Sequence, residues 1–172
     1  MPAVSARLRT SFTAAGVPVL ACALALAGLG AWTANGHAGS PPRVAVSKAY
    51  VYLPTVPTPE TAAFFTLTND GGSADRLVHI ASTDTVAPPR LSEHHMTSSR
   101  GAYRQPVGSV AVPAGDGLTM APHGIDVTVR PKGTWRSGEK ISFTLRFAHG
   151  EPLRVRAVVV RPGEQTDRLP RP

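Results

Sequence analysis

The sequence predicts an all-β domain, an antiparallel Greek-key β-sandwich, carried behind an N-terminal signal or anchor segment. Three observations predict it. Short segments in which apolar and polar residues alternate recur from Val44 to Val160. Turn clusters rich in Gly, Pro, Asn and Asp separate them, and the 16 Gly and 17 Pro follow no period that would suggest a collagen-like chain. Ahead of these segments lies a basic, then wholly uncharged, apolar stretch.

Residues 1–38 are read as the signal peptide or membrane anchor. Arg7 and Arg9 precede an uncharged run from Thr13 to Ala34. At about 20 residues the run is near the lower limit for a membrane span. The two arginines hold the N-terminus in the cytoplasm and direct the rest of the chain across the membrane, so the domain is exported: periplasmic or otherwise extracytoplasmic, secreted or anchored to the cytoplasmic membrane. Ala34, Gly36 and Ala38 offer small residues for cleavage, and both the cleaved and the anchored form are open. Val19-Leu20-Ala21-Cys22 resembles a lipoprotein cleavage box. The apolar run continues well past Cys22, which favours a membrane-buried cysteine over a lipidated one.

Residues 39–42 form a linker, 43–161 the globular domain and 162–172 a polar tail with little to bury. Strands are expected at 44–53, 62–68, 76–81, 90–96, 101–107, 110–112, 118–120, 125–129, 141–147 and 153–160. Two alternate cleanly: Ile125, Val127 and Val129 share one face, as do Ile141, Phe143, Leu145 and Phe147. The opposite face of each is expected to be wet. No segment of the domain longer than about ten residues has helical periodicity.

Composition excludes several functions. The net charge is +7, but beyond Arg7 and Arg9 the cations are scattered, with no Lys/Arg run and no interleaved aromatics. That argues against a nucleic-acid partner. The single cysteine, Cys22, lies in the apolar segment, so the residues after it offer neither disulfide nor thiolate site. There is no Gly-x-Ser-x-Gly elbow, His-Glu-x-x-His helix or phosphate loop, and the chain is read as not an enzyme.

The stretch Thr61–Ser82, TAAFFTLTNDGGSADRLVHIAS, joins an aromatic strand, an Asn-x-Gly turn and an Asp-Arg-Leu-Val strand. With Glu93-His94, Gly101, Val112–Gly115, Gly138 and ISFTLRF, it resembles the periplasmic copper chaperones of the PCuAC type over about Val46 to Val160. The resemblance implies a cupredoxin-like β-sandwich that carries Cu(I) in the cell envelope to a copper-receiving protein. If uncleaved, the N-terminal segment also makes the membrane a partner. The family's metal motif is His-x10-Met-x21-His-x-Met. Here His94 stands at the first histidine, Gln105 at the first methionine and, after a one-residue deletion, Asp126 and Thr128 at the last two positions.

One ligand of four therefore matches, and three accounts stay open. The site has moved, to His94, Met96, Met120 and His123. It has hardened, so that His94, Gln105 and Asp126 hold a borderline divalent ion. Or it is lost, leaving a degenerate, non-metal-binding sandwich that serves as a protein interaction module. His94 and Met96 are an i, i+2 pair on a strand, and Pro122 and Gly124 bend the chain so as to aim His123 back towards them. Met96 and Met120 are the only methionines after the initiator. Thioether and imidazole donors suit Cu(I). Against this, Met120 reads equally as a core gap-filler and His123 as a turn residue. His79 is read as structural, His149 as surface, and Trp135 as a cap on the core.

Overall fold

The computed structural model describes residues 4–34, 39–55, 60–96 and 102–164, and the chain divides after Ser40 into two units. The first holds one helix, α1 (Val4–Ala34). Within it Gly16–Ala34, with mean hydropathy 1.8 and no burial, is long and apolar enough to cross a membrane by length and composition.

The second unit is built from ten strands: β1 (Val44–Tyr52), β2 (Thr61–Asn69), β3 (Asp75–Ala81), β4 (Arg90–Met96), β5 (Ala102–Pro106), β6 (Val110–Val112), β7 (Asp116–Thr119), β8 (Ile125–Val129), β9 (Lys140–Phe147) and β10 (Leu153–Val160). Each expected strand is present, with ends shifted by a residue or two. Their order is β5-β4-β8-β2-β1-β10-β9-β3-β6, with β7 also on β2. The sheet curls so that β6 approaches β7 and β2, and β3 approaches β4, across one core. Phe65 of β2 and Phe143 of β9 meet edge to face there, ring centres 5.4 Å apart.

The sheet is mixed and not purely antiparallel. β1 and β10 run parallel, with Tyr50, Val51 and Tyr52 opposite Val158, Val159 and Val160. Alternation of apolar residues reports which face is buried and carries no information on strand direction. Tyr50, Val51, Val159 and Val160 are all buried, the two-sided apolarity that a parallel pair in a sheet centre requires.

Two further departures matter. β8 does not have a wet face: Asp126 and Thr128 are buried along with Val127 and Val129. In β3 the register shifts between Leu77 and His79, so Val78 and His79 both face outward and His79 is exposed. β7 and β8 both lie antiparallel to β2, Thr119 opposite Thr66 and Val127 opposite Ala63. They are two halves of one line of strand, interrupted by an excursion through Ala121–Gly124. Trp135 is buried in the core, and the His149 ring is largely exposed.

Two buried polar side chains fasten the turns. Asn69 is fully buried at the end of β2. Its Oδ1 accepts from the amides of Arg43 (2.9 Å) and Gly71 (3.0 Å), and its Nδ2 donates to the carbonyls of Ser73 (2.9 Å) and Val112 (3.3 Å). Gly71 is required beside it, since a Cβ there would lie 2.3 Å from the Pro41 carbonyl oxygen. Asp75 opens β3. Burial alone would raise its pKa, but the amides of Arg76, Gly150 and His149, with the His149 ring, outweigh that and hold the carboxyl below its ordinary range.

Asn69 satisfies four backbone groups from three separate segments, so its loss strands several donors and acceptors at once. Asn69→Ala is expected to cost about 2–3 kcal/mol of stability, the scale for unsatisfied buried polar groups. A urea unfolding curve unchanged from wild type would show that water replaces the amide.

Candidate functional site

At one edge of the sheet β5, β4 and β8 lie side by side. Pairing sets Ser92 opposite Asp126 and His94 opposite Arg104, and the His94 amide donates to the Gly124 carbonyl at 2.9 Å. Period-two alternation then gathers Ser92, His94, Arg104, Asp126 and Thr128 on one face. His94 Nε2 lies 3.0 Å from Asp126 Oδ2 and 3.0 Å from Arg104 Nε. Arg104 also donates from Nη1 to the Thr128 hydroxyl (3.2 Å) and sets Nη2 3.5 Å from Asp126 Oδ2. The hydroxyls of Ser92 and Thr128 bond each other at 3.1 Å.

Depth sets the electrostatics. The Asp126 side chain is 2% exposed, those of His94 and Arg104 23% and 42%. Burial pushes the Asp126 carboxyl above the ordinary carboxylate range, and the Arg104 and His94 charges and the His94 hydrogen bond offset this only in part. Asp126 Oδ1 is buried without a hydrogen-bond partner. On the opposite face His95 stacks on Tyr103, ring centres 5.2 Å apart, and approaches Glu93.

The residues singled out in the sequence do not all reach this edge. His94 is at the centre of the cluster. His123 is exposed in the excursion, one residue before the Gly124 carbonyl that holds the His94 amide. Met120 is 2% exposed within the apolar core, its amide bonded to the Phe65 carbonyl. Met96 ends β4 opposite Ala102, and its side chain lies outside the described residues. His94 and Asp126 of the hardened set do meet, but Gln105 pairs with Glu93 and is exposed, on the face away from His94. Among the described residues no three His, Cys, Asp or Glu side chains gather as a metal site would need.

Arg104 and Ser92 carry the cluster and stand outside the motif read in the sequence. The β4–β5 hairpin was the usable signal. The pairing of β4 with β5 sets 104 against 94, so the site-facing residue of β5 is Arg104 and not its neighbour Gln105.

The fold is similar to that of solved PCuAC domains. The solution structure of Cu(I)-DR1885 from Deinococcus radiodurans matches with TM-score 0.56 at 28% identity, covering 70% of this chain and 80% of that one. The copper-bound PCuAC domain from PmoF2 matches with TM-score 0.58 at 18% identity, over 72% and 98%. The apo PCuAC domain from PmoF1 matches with TM-score 0.60 at 17% identity, over 72% and 99%. The chain belongs to the LpqE-like family, whose model, described as "Putative lipoprotein LpqE-like", matches residues 44–159. No curated protein matches it.

A carboxyl whose native pKa lies above its unfolded value favours the fold in its protonated form. That contribution is present below the unfolded value near 3.8 and is lost as pH rises through the native pKa. Asp126→Asn is therefore expected to melt higher than wild type at pH 7, with the gap closing towards pH 3. A variant that melts lower at pH 7 would mean that the pairing with Arg104 and His94 outweighs the burial.

Proposed function

We propose that this chain is an exported copper-handling domain, held at the outer face of the cytoplasmic membrane, that takes Cu(I) at the β4–β8 edge and passes it to a receiving envelope protein. The observation that carries the reading is His94. It is the residue that matches the family's first ligand, and its imidazole reaches the surface in a fold shared with a Cu(I)-bound relative at 28% identity. His123 adjoins the backbone contact to His94, and Met96 stands two residues along the same strand. An imidazole–thioether set of this kind suits Cu(I) over hard ions. Met120 joins only if its thioether leaves the apolar cluster, which costs packing. A site with fewer soft ligands than the family's binds more weakly.

A second reading is an interaction module without metal. The contact of Arg104 with His94, and the burial of Met120, favour it.

A Cu(I) competition titration of the full chain in detergent separates the two. Copper handling expects stoichiometric binding, weakened at least tenfold by His94→Ala and several-fold by His123→Ala, while Met120→Ala chiefly lowers the melting temperature. No binding above background by the wild type leaves the interaction module.

For the address, the chain is expected in the membrane fraction with the domain open to external protease. The mass of the mature form distinguishes an uncleaved helix from a lipid on Cys22, in line with the family's lipoprotein description. Recovery in the cytosol would overturn the export reading.

A further inference from the structure

We propose that Arg104 is a built-in counter-cation that closes the His94–Asp126 pair, so that a metal ion enters by exchanging with its guanidinium. The proposal deepens the copper reading and rests on it for the identity of the metal.

Hydrogen-bond accounting at two atoms carries the argument. His94 Nε2 has either one hydrogen or one lone pair in the ring plane. It nevertheless has two partners at 3.0 Å, the Asp126 carboxyl oxygen and the Arg104 Nε–H. If Nε2 carries the hydrogen it bonds Asp126, and the Arg104 Nε–H faces a donor. If Nε2 carries the lone pair it accepts from Arg104, and an ionised Asp126 faces it with a second lone pair. Meanwhile Asp126 Oδ1 is buried with no partner at all. One atom is oversubscribed and its neighbour is empty, in a place where buried polar groups are normally matched.

A cation lying between the imidazole and the carboxyl resolves both. It takes the Nε2 lone pair, and it draws on the carboxylate that Arg104 now balances. Arginine and metal carry the same sign and contend for the same two ligands, so binding of one expels the other. Arg104 is also the member free to leave. Asp126 and Thr128 are buried on β8, whereas Arg104 stands on β5, the outermost strand, with its side chain 42% exposed. A rotation about its side-chain bonds puts the guanidinium in solvent without disturbing a ladder.

The experiment is a Cu(I) competition titration of the full chain in detergent for wild type, Arg104→Ala, Arg104→Lys and the double variant Arg104→Ala/His94→Ala, with melting curves to confirm folding and NMR of the His94 ring as a second readout. The expected result is an Arg104→Ala affinity at least tenfold tighter than wild type, little gain for Arg104→Lys because it keeps the charge, loss of the gain in the double variant, and a Cu(I)-dependent shift of the His94 ring. If wild type binds and Arg104→Ala binds equally or less tightly, the counter-cation proposal fails and the copper reading stands. If wild type does not bind and Arg104→Ala does, the counter-cation stands and the native chain is closed to copper. If neither binds, both fail.

Discussion

Strand β8 is buried on both faces from Asp126 to Val129, and the candidate site is the consequence. A strand that alternates apolar and polar residues normally leaves the polar set in water. Here the apolar set fills the core, and the polar set is covered by the side chains of His94 and Arg104 from the neighbouring strands. A buried carboxyl without partners is costly, so the neighbouring strands must supply donors. His94 and Arg104 do so, with His94 Nε2 3.0 Å and Arg104 Nη2 3.5 Å from Asp126 Oδ2, while Ser92 bonds the Thr128 hydroxyl beside them. The same requirement guards the register. Sliding β4 by one residue sets Glu93 or Leu91 against Asp126, a like charge or an apolar side chain in place of Ser92.

Much of this was legible from residue order. Every strand of the domain shows in the alternation and in the Gly/Pro/Asn punctuation, because one-sided burial and tight turns each demand particular residues. The parallel pairing of β1 with β10 is not legible, since a Val-rich strand reads the same in either direction. Two-sided burial of β8 is hidden for a similar reason: Asp126 and Thr128 look like the solvent face of an ordinary strand until the side chains that lean over them are known. The exposure of His79 is hidden because the irregularity after Leu77 that turns it outward leaves no mark in the neighbouring sequence.

The site was half legible. His94 and Asp126 emerge from the motif spacing, and they do meet. Gln105 is a residue off, because spacing counted along the chain does not know which face a hairpin presents. Met120 carried two readings, ligand and core filler, and a methionine between apolar strands is placed by packing before chemistry. Its thioether sits where the line of β7 and β8 breaks, on the core side of the excursion that carries His123. The Met120 thioether and the charged network therefore stand at different depths.

The parallel β1–β10 pair also bears on the order in which the domain can fold. These two strands hold the middle of the sheet, yet they come from opposite ends of the domain, Tyr50 beside Val158. Contacts so distant in sequence form late and slowly, after loop closure has been met. If the domain crosses a membrane behind α1, as proposed, β1 emerges first and has nothing to set against it on that side until Leu153–Val160 has followed. A domain part-way across would then lack its central seam.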